Sequence, residues 1–398
     1  MSDAADAERD RTSGWTGGQY SLYRVLLAVG LAGAIATGLP AAASGLSLVG
    51  GAAALAGCGA LAVGWRDRIV AVLLGVGVVA RATTMETTWP GGRWLDGPGV
   101  GLATFGVLLL LHACVPPAPF GSLDARGRID PRGGWQRPRW LGDLAWAFVV
   151  LVVARGAAVS LLGLSPEADL PSPGIGRASA GLELALALGG LARGLRPRLW
   201  LALGLWHVGW WAAFAATSPD PCPFLLLMLF AADPGWWPGR SAALADLRTT
   251  RRDETGTAPH AVLYYDGDCG FCHRSVRVVL SEETGTPEPL RLRFAPLQSA
   301  HFTRHVASRP DVDVDALPDS IVLRLEDGRL LTRSAAALEI AARLGGAWRV
   351  LARLLGALPS AWLDAAYDAI ARVRKRIFAA PKDACPILPP DLRTRFDY

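Results

Sequence analysis

Tyr264-Tyr265-Asp266-Gly267-Asp268-Cys269-Gly270-Phe271-Cys272 leads an apolar run through a glycine turn into two cysteines spaced C-x-x-C. The run from Ala261 to Tyr265 is aliphatic, β-branched and aromatic, so it reads as a buried strand that ends at Asp266-Gly267-Asp268. A helix follows, because Cys272, Val276, Val279 and Leu280 recur on one face, with His273, Arg274, Arg277 and Ser281 opposite. Cys269 then stands at a helix N-terminus, where unpaired N–H groups and the helix dipole favour thiolate over thiol. Cys272, one turn inside on the apolar face, is suited to resolve a mixed disulfide. The carboxylate of Asp268 opposes the thiolate, so no extreme activation is expected.

Downstream, Leu290-Arg-Leu-Arg-Phe294 alternates as a strand does, followed by a helix near 298–308 and a strand from Ser320 to Leu325. Asp327-Gly328 turns that strand into Leu330-Leu331-Thr332, and Ser334 is placed to cap a helix ending at Gly345-Gly346. The order β-α-β-α-β-β-α, with C-x-x-C opening the first helix, is the thioredoxin arrangement. Likeness to that fold implies a cis proline beside the cysteines at Pro318.

This half resembles the DCC family of thiol-disulfide oxidoreductase-like proteins (the DUF393 domain). The resemblance rests on Y-Y-D-G-D-C-G-F-C at 264–272, L-P-D-S-I-V-L at 317–323, T-R-S-A-A-A-L at 332–338 and L-G-G-A-W-R at 344–349. It extends through Asp364-Ala-Ala-Tyr367, Arg372-Val-Arg374 and the late Cys385 before Pro386. It implies a thioredoxin-like domain and dithiol redox activity, with Cys269 and Cys272 catalytic and Asp266, Asp268 and Pro318 supporting. Cys385 is a candidate third thiol.

A metal site built on Cys269 and Cys272 with Cys385, His260, His273, His301 or His305 is a competing reading. It lacks the second paired cluster that a strong zinc signal needs. No metal or other cofactor is expected. The helix bearing Trp362, Leu363, Ala366, Tyr367, Ile370, Val373 and Ile377 on one face has Arg372, Arg374, Lys375 and Arg376 on others. Such a helix either lies on anionic lipid or, more commonly, packs on its own domain and displays charge.

Upstream the composition changes. The 398-residue chain is 51% hydrophobic, and the apolar residues concentrate before about residue 235. Stretches near 22–39, 46–64, 68–84, 98–115, 140–164, 176–193, 198–216 and 222–235 suggest about eight membrane spans, or seven. With the N-terminus inside, inner loops hold Arg66 and Arg68, then Arg126, Arg128, Arg132, Arg137 and Arg139, then Arg193, Arg196 and Arg198. Outer loops are poorer in arginine and richer in acid, which places both termini and the C-terminal domain in the cytoplasm of a bacterial inner membrane. There a static disulfide is disfavoured.

The net charge of +5 is scattered arginine rather than a basic stripe, so no nucleic acid is expected. Arg155, Glu183 and His207 fall inside spans, as a structural ion pair or as an intramembrane polar site. Tyr20-Ser-Leu-Tyr-Arg24 is similar to membrane domains of the HTTM type.

The expected layout is a tail (1–20), an α-helical polytopic bundle (21–236), a linker (237–258), an α/β thioredoxin-like domain (259–380) and a second tail (381–398). The expected function is a membrane-anchored dithiol–disulfide oxidoreductase acting as a reductase, its partners a disulfide-bearing substrate, a thiol reductant and membrane lipid. The alternative is a bundle active in transport or in lipid or quinone chemistry, with the C-x-x-C domain as its redox regulator.

Overall fold

The computed structural model describes residues 12–37, 45–88, 99–162, 173–213, 221–237, 260–283, 291–314, 317–318, 320–377 and 388–398. The expected linker lies almost wholly outside these residues, as does Cys385. The chain divides into two compact units, one built from 1–13, 20–126 and 136–233, the other from 14–19, 127–135 and 234–398.

The first unit is helical. Among the described residues it holds α1 (Gly17–Thr37, which begins in the other unit), α2 (Gly45–Val63), α3 (Asp67–Thr88), α4 (Gly99–Ala113), α5 (Arg139–Leu161), α6 (Pro173–Gly189), α7 (Arg196–Ala213) and α8 (Cys222–Ala231). These coincide with the apolar stretches of the sequence. Among the described residues, however, only α1 and α5 are long and apolar enough to cross a membrane, so the eight expected spans are not all shown. Length and charge limit others: α8 has 10 residues, well below the roughly 20 that a bilayer core requires. α3 dilutes its apolar run with Arg81 and Glu86.

The second unit is built on a four-stranded mixed sheet in the order β2-β1-β3-β4, from β1 (Val262–Tyr265), β2 (Arg293–Pro296), β3 (Val322–Arg324) and β4 (Leu330–Thr332). β1 pairs parallel with β2 and antiparallel with β3, and β3 pairs antiparallel with β4. All four residues of β1 are buried, which explains why the strand reads as a continuous apolar run instead of an alternation. Leu263 and Tyr265 enter one core with Cys269, Cys272, Val276 and Leu280, while Val262 and Tyr264 enter another with Phe302, Val306 and Val322. Leu388, Leu392 and Phe396 complete the first core. Phe294 bonds to that C-terminal segment through its N–H to Arg395 (2.9 Å) and its carbonyl from Asp397 (2.8 Å).

The helices of this unit are α9 (Gly270–Glu282), α10 (Ala300–Phe302, continuing as a π-helical turn over Thr303–Ala307), α11 (Arg333–Leu344), α12 (Gly346–Gly356), α13 (Ser360–Ile377) and α14 (Pro390–Arg393). Gly345, at φ 77° and ψ −169°, ends α11 as the sequence suggests. The expected cap differs. Thr332 occupies the N-cap without a side-chain bond, and Ser334 donates its hydroxyl to Asp364 at 2.5 Å.

Candidate functional site

The turn between β1 and α9 is held from three directions. Asp266 Oδ1 accepts the N–H of Asp268 at 3.0 Å and the side-chain amide of Gln298 at 3.2 Å, while Gln298 Oε1 accepts the Gly267 N–H at 3.1 Å. Leu297 donates its N–H to the Tyr265 carbonyl at 2.8 Å, fixing the segment after β2 that carries Gln298 beside the turn. A Cβ on Gly267 would stand 3.1 Å from Gln298 Oε1, so the turn keeps its smallest residue.

Cys269 is the N-cap of α9, with extended backbone at φ −101° and ψ 111°. Its carbonyl accepts the His273 N–H at 3.1 Å, the first bond of the helix. Cys272 lies within the first turn on the inward face. The two are not joined by a disulfide, and they are only 4% and 3% exposed. Phe271 and Ile321 pack against the core that includes both cysteines. Reaction at either sulfur therefore requires it to be uncovered first.

Asp266, Asp268, Cys269 and Cys272 thus gather at one junction, Asp266 as a holder of the turn and Asp268 exposed beside it. Pro318 precedes buried Ser320, whose N–H donates to the Pro318 carbonyl at 2.7 Å. No peptide bond among the described residues is cis, so the expected cis Pro318 is corrected to trans.

His273 is a site residue that periodicity missed. Placed by sequence on the polar face, it is 7% exposed, and its Nε2 donates to the Gly267 carbonyl at 2.8 Å. A carbonyl only accepts, so Nε2 carries the proton. The ring meets Tyr265 edge-on at 5.4 Å. Its signal was the reach from one turn inside the helix back to the glycine turn.

Metal binding by the cysteines gains no support. Among the described residues no three His, Cys, Asp or Glu side chains gather as a metal site. His301 and His305, with rings 4.3 Å apart, lie on α10 against the other face of the sheet, where His301 Nδ1 meets Tyr264 Oη at 3.1 Å. Burial holds both imidazoles below their ordinary pKa, and raises that of the Tyr264 phenol.

In the helical unit, Glu183 Oε1 and His207 Nδ1 approach to 3.9 Å, while Arg155 stands half-buried on α5. A more deeply buried group went unread. Tyr20 Oη contacts His112 Nδ1 at 2.6 Å, His112 Nε2 lies 3.8 Å from Asp67, and Asp67 pairs with Arg24 at 3.5 Å. Tyr20, Arg24, Asp67 and His112 are each no more than 3% exposed. They come from three helices far apart in sequence, so spacing could not reveal them. Tyr20 and Arg24 are themselves part of the Tyr20-Ser-Leu-Tyr-Arg24 motif.

Residues 263–380 match the family described as DCC1-like thiol-disulfide oxidoreductase. The uncharacterized protein YuxK of Bacillus subtilis (strain 168) is 31% identical over 138 residues, covering 35% of this chain and 94% of that protein. No solved structure matches.

Proposed function

Since the chain belongs, through residues 263–380, to the DCC1-like thiol-disulfide oxidoreductase family, we propose that it is a membrane-anchored dithiol–disulfide oxidoreductase with a thioredoxin-like catalytic domain. The observation that carries this reading is Cys269 at the N-cap of α9 with Cys272 one turn inside. The sheet order β2-β1-β3-β4 supports the thioredoxin-like assignment.

Cys269 thiolate attacks one sulfur of a substrate disulfide, forming a mixed disulfide and expelling the other sulfur as thiolate. Cys272 thiolate then attacks Cys269 Sγ, closing the Cys269–Cys272 disulfide and releasing the second substrate thiol. Two electrons pass to the substrate, and a thiol reductant returns the pair to its dithiol form. Asp266, Gln298 and His273 hold the turn that presents Cys269.

Anchoring is supported by α1 and α5, each able to cross a bilayer by length and composition. A cytoplasmic site is supported by the arginine-rich inner loops and by the make-up of the second unit, which takes in residues 14–19 and 127–135. Arg277 donates to the Arg128 carbonyl, and Arg132 pairs with Asp391 at 2.8 Å, tying the loop before α5 to the redox domain. In the cytoplasm the pair runs as a reductase.

The test is thiol alkylation of the full-length protein across graded reducing buffers, with metal content measured alongside. A reversible two-electron transition at Cys269 and Cys272 is expected, with Cys272→Ser trapping a mixed disulfide and Cys269→Ser forming none. Thiols that react only after chelation would overturn the reading.

A second reading, in which the bundle acts and the C-x-x-C domain regulates it, is favoured by the buried Tyr20–His112–Asp67–Arg24 group. Loss of cellular function in His112→Gln with intact thiol chemistry would select it.

A further inference from the structure

The helix pair α12 and α13 presents an apolar face that its own domain does not cover. Leu354 is 66%, Trp362 68% and Ile370 58% exposed, and Leu351, Leu358 and Val373 are exposed with them. Leu351 and Leu354 lie one turn apart on α12, Leu358 follows just past its end, and Trp362 opens α13 beyond Pro359. The expectation that α13 packs on its own domain therefore holds only in part. The half-buried Leu363 and Tyr367 turn toward the domain, Tyr367 Oη accepting the Ile321 N–H at 3.2 Å.

The charges sort the same way. Asp364 and Asp368 are the acidic residues of the two helices. Both face the domain, Asp364 bonded to Ser334 and Asp368 paired with Arg333 at 3.3 Å. Arg353 and Arg372 are exposed, and the sequence continues into Arg374-Lys375-Arg376. What faces outward is apolar and basic.

The start of this pair is tied to residues where apolar helices begin and end. Gly346 donates its N–H to the carbonyl of Trp237 at 2.9 Å, shortly after α8 closes at Ala231. Trp348 Nε1 donates to Glu282 at 2.7 Å, and Glu282 Oε1 accepts the N–H of Gly18, in the first turn of α1, at 2.8 Å.

We propose that the exposed face of α12 and α13 is a membrane-docking surface seated on anionic lipid of the bilayer that holds the protein. Leu354, Leu358 and Trp362 enter the boundary between headgroups and acyl chains, and the basic side chains meet the phosphates. Trp362 suits that depth, because indole is enriched at the membrane interface. The inference rests on the membrane-anchored reading above.

The full-length protein is placed, one copy per particle, in lipid nanodiscs of phosphatidylcholine alone or mixed with phosphatidylglycerol. Quenching by lipids brominated near the headgroup is compared between the unaltered protein and Trp362→Phe, and amide exchange is followed over 346–377. A share of the quenching that is lost in Trp362→Phe is expected, over the background of the other fourteen tryptophans, which both proteins keep. Exchange should slow about tenfold on passing from neutral to anionic discs, the weight of one or two basic side chains at a charged surface. Arg353→Gln with Arg372→Gln should reduce that dependence on lipid charge, with the Cys269 alkylation rate unchanged as the sign of a folded domain.

Protection with quenching equal in the unaltered protein and Trp362→Phe would mean that another segment of this chain covers the face, and would overturn the proposal. Quenching and exchange indifferent to lipid charge would overturn the anionic assignment. A chain that enters the discs with the pair unprotected would sink the docking surface alone, whereas one that does not enter the discs would sink the anchored reading with it.

Discussion

The indole N–H of Trp348 donates to the carboxylate of Glu282 at 2.7 Å, at the far end of the helix that begins beside Cys269. The same carboxylate, 1% exposed, accepts the Gly18 N–H at 2.8 Å, a Ser281 hydroxyl bond at 3.2 Å and the Thr16 hydroxyl. One buried acceptor therefore joins residues from three distant parts of the chain.

Glu282→Gln removes the charge and turns one acceptor into a donor that faces donors. The expected cost is about 2–3 kcal/mol, the range for hydrogen bonds to a buried charged group. Thermal unfolding of the reconstituted protein measures it. Because the cysteines lie at the other end of α9, the Cys269 alkylation rate should stay as it is. An unchanged unfolding midpoint would show that the contacts contribute nothing net.

His273→Ala leaves the Gly267 carbonyl without its 2.8 Å partner and frees the turn before Cys269. Stability should fall by about 1–2 kcal/mol. Cys269, now 4% exposed, should be alkylated faster at fixed pH. His273→Gln, which can offer an N–H to the same carbonyl, should recover part of both effects. Equal alkylation rates in all three proteins would remove His273 from the site.

Gly345→Ala tests the boundary between α11 and α12. At φ 77° and ψ −169° the backbone sits in a region essentially reserved for glycine. The substitution should cost about 1–3 kcal/mol in the denaturant midpoint, the range for a residue held in a sparsely populated conformation. A midpoint equal to that of the unaltered protein would show that the turn relaxes.

The histidine pair on α10 sets a pH dependence. Burial lowers the folded pKa of His301 and His305 below the ordinary 6.5, so between the two values the unfolded chain binds more protons. Their contribution is complete above about 6.5 and is lost as pH falls through that window toward the folded values. Both rings are partly exposed, so the slope should be shallow. Unfolding midpoints from pH 8 to 5 should decline less steeply for His301→Gln with His305→Gln. A slope identical in the two proteins would assign it to other groups.

Much of the redox domain could be read along the chain, because its signals are local. The fully buried β1 announces itself as an unbroken apolar run, and C-x-x-C after a glycine turn places Cys269 at a helix start. Gly328 and Gly345 mark turns by the backbone they must adopt. The apolar stretches of the first half likewise coincide with its helices. Among the described residues α1 and α5 are long and apolar enough to span, because that capacity depends on helix length and charge as well as on apolar content.

The remainder depended on partners far away in sequence. Periodicity tells which side chains of one element share a face, and nothing about what meets that face. That is why His273 and Ser281, polar by type, were assigned outward and are buried. Periodicity also leaves open what the apolar face of α13 meets: Leu363 and Tyr367 are half-buried on the domain, whereas Trp362 and Ile370 are exposed.

By itself, then, the sequence determined the order of elements, the dithiol and its place at a helix N-terminus, because each follows from neighbours within a turn or a strand. Only the tertiary structure decided the hold of His273 on the Gly267 carbonyl, the meeting of Thr16, Gly18 and Trp348 at Glu282, and the burial of Tyr20, Arg24, Asp67 and His112 together. Desolvated polar groups must find partners, and those partners come from wherever the packed chain brings them.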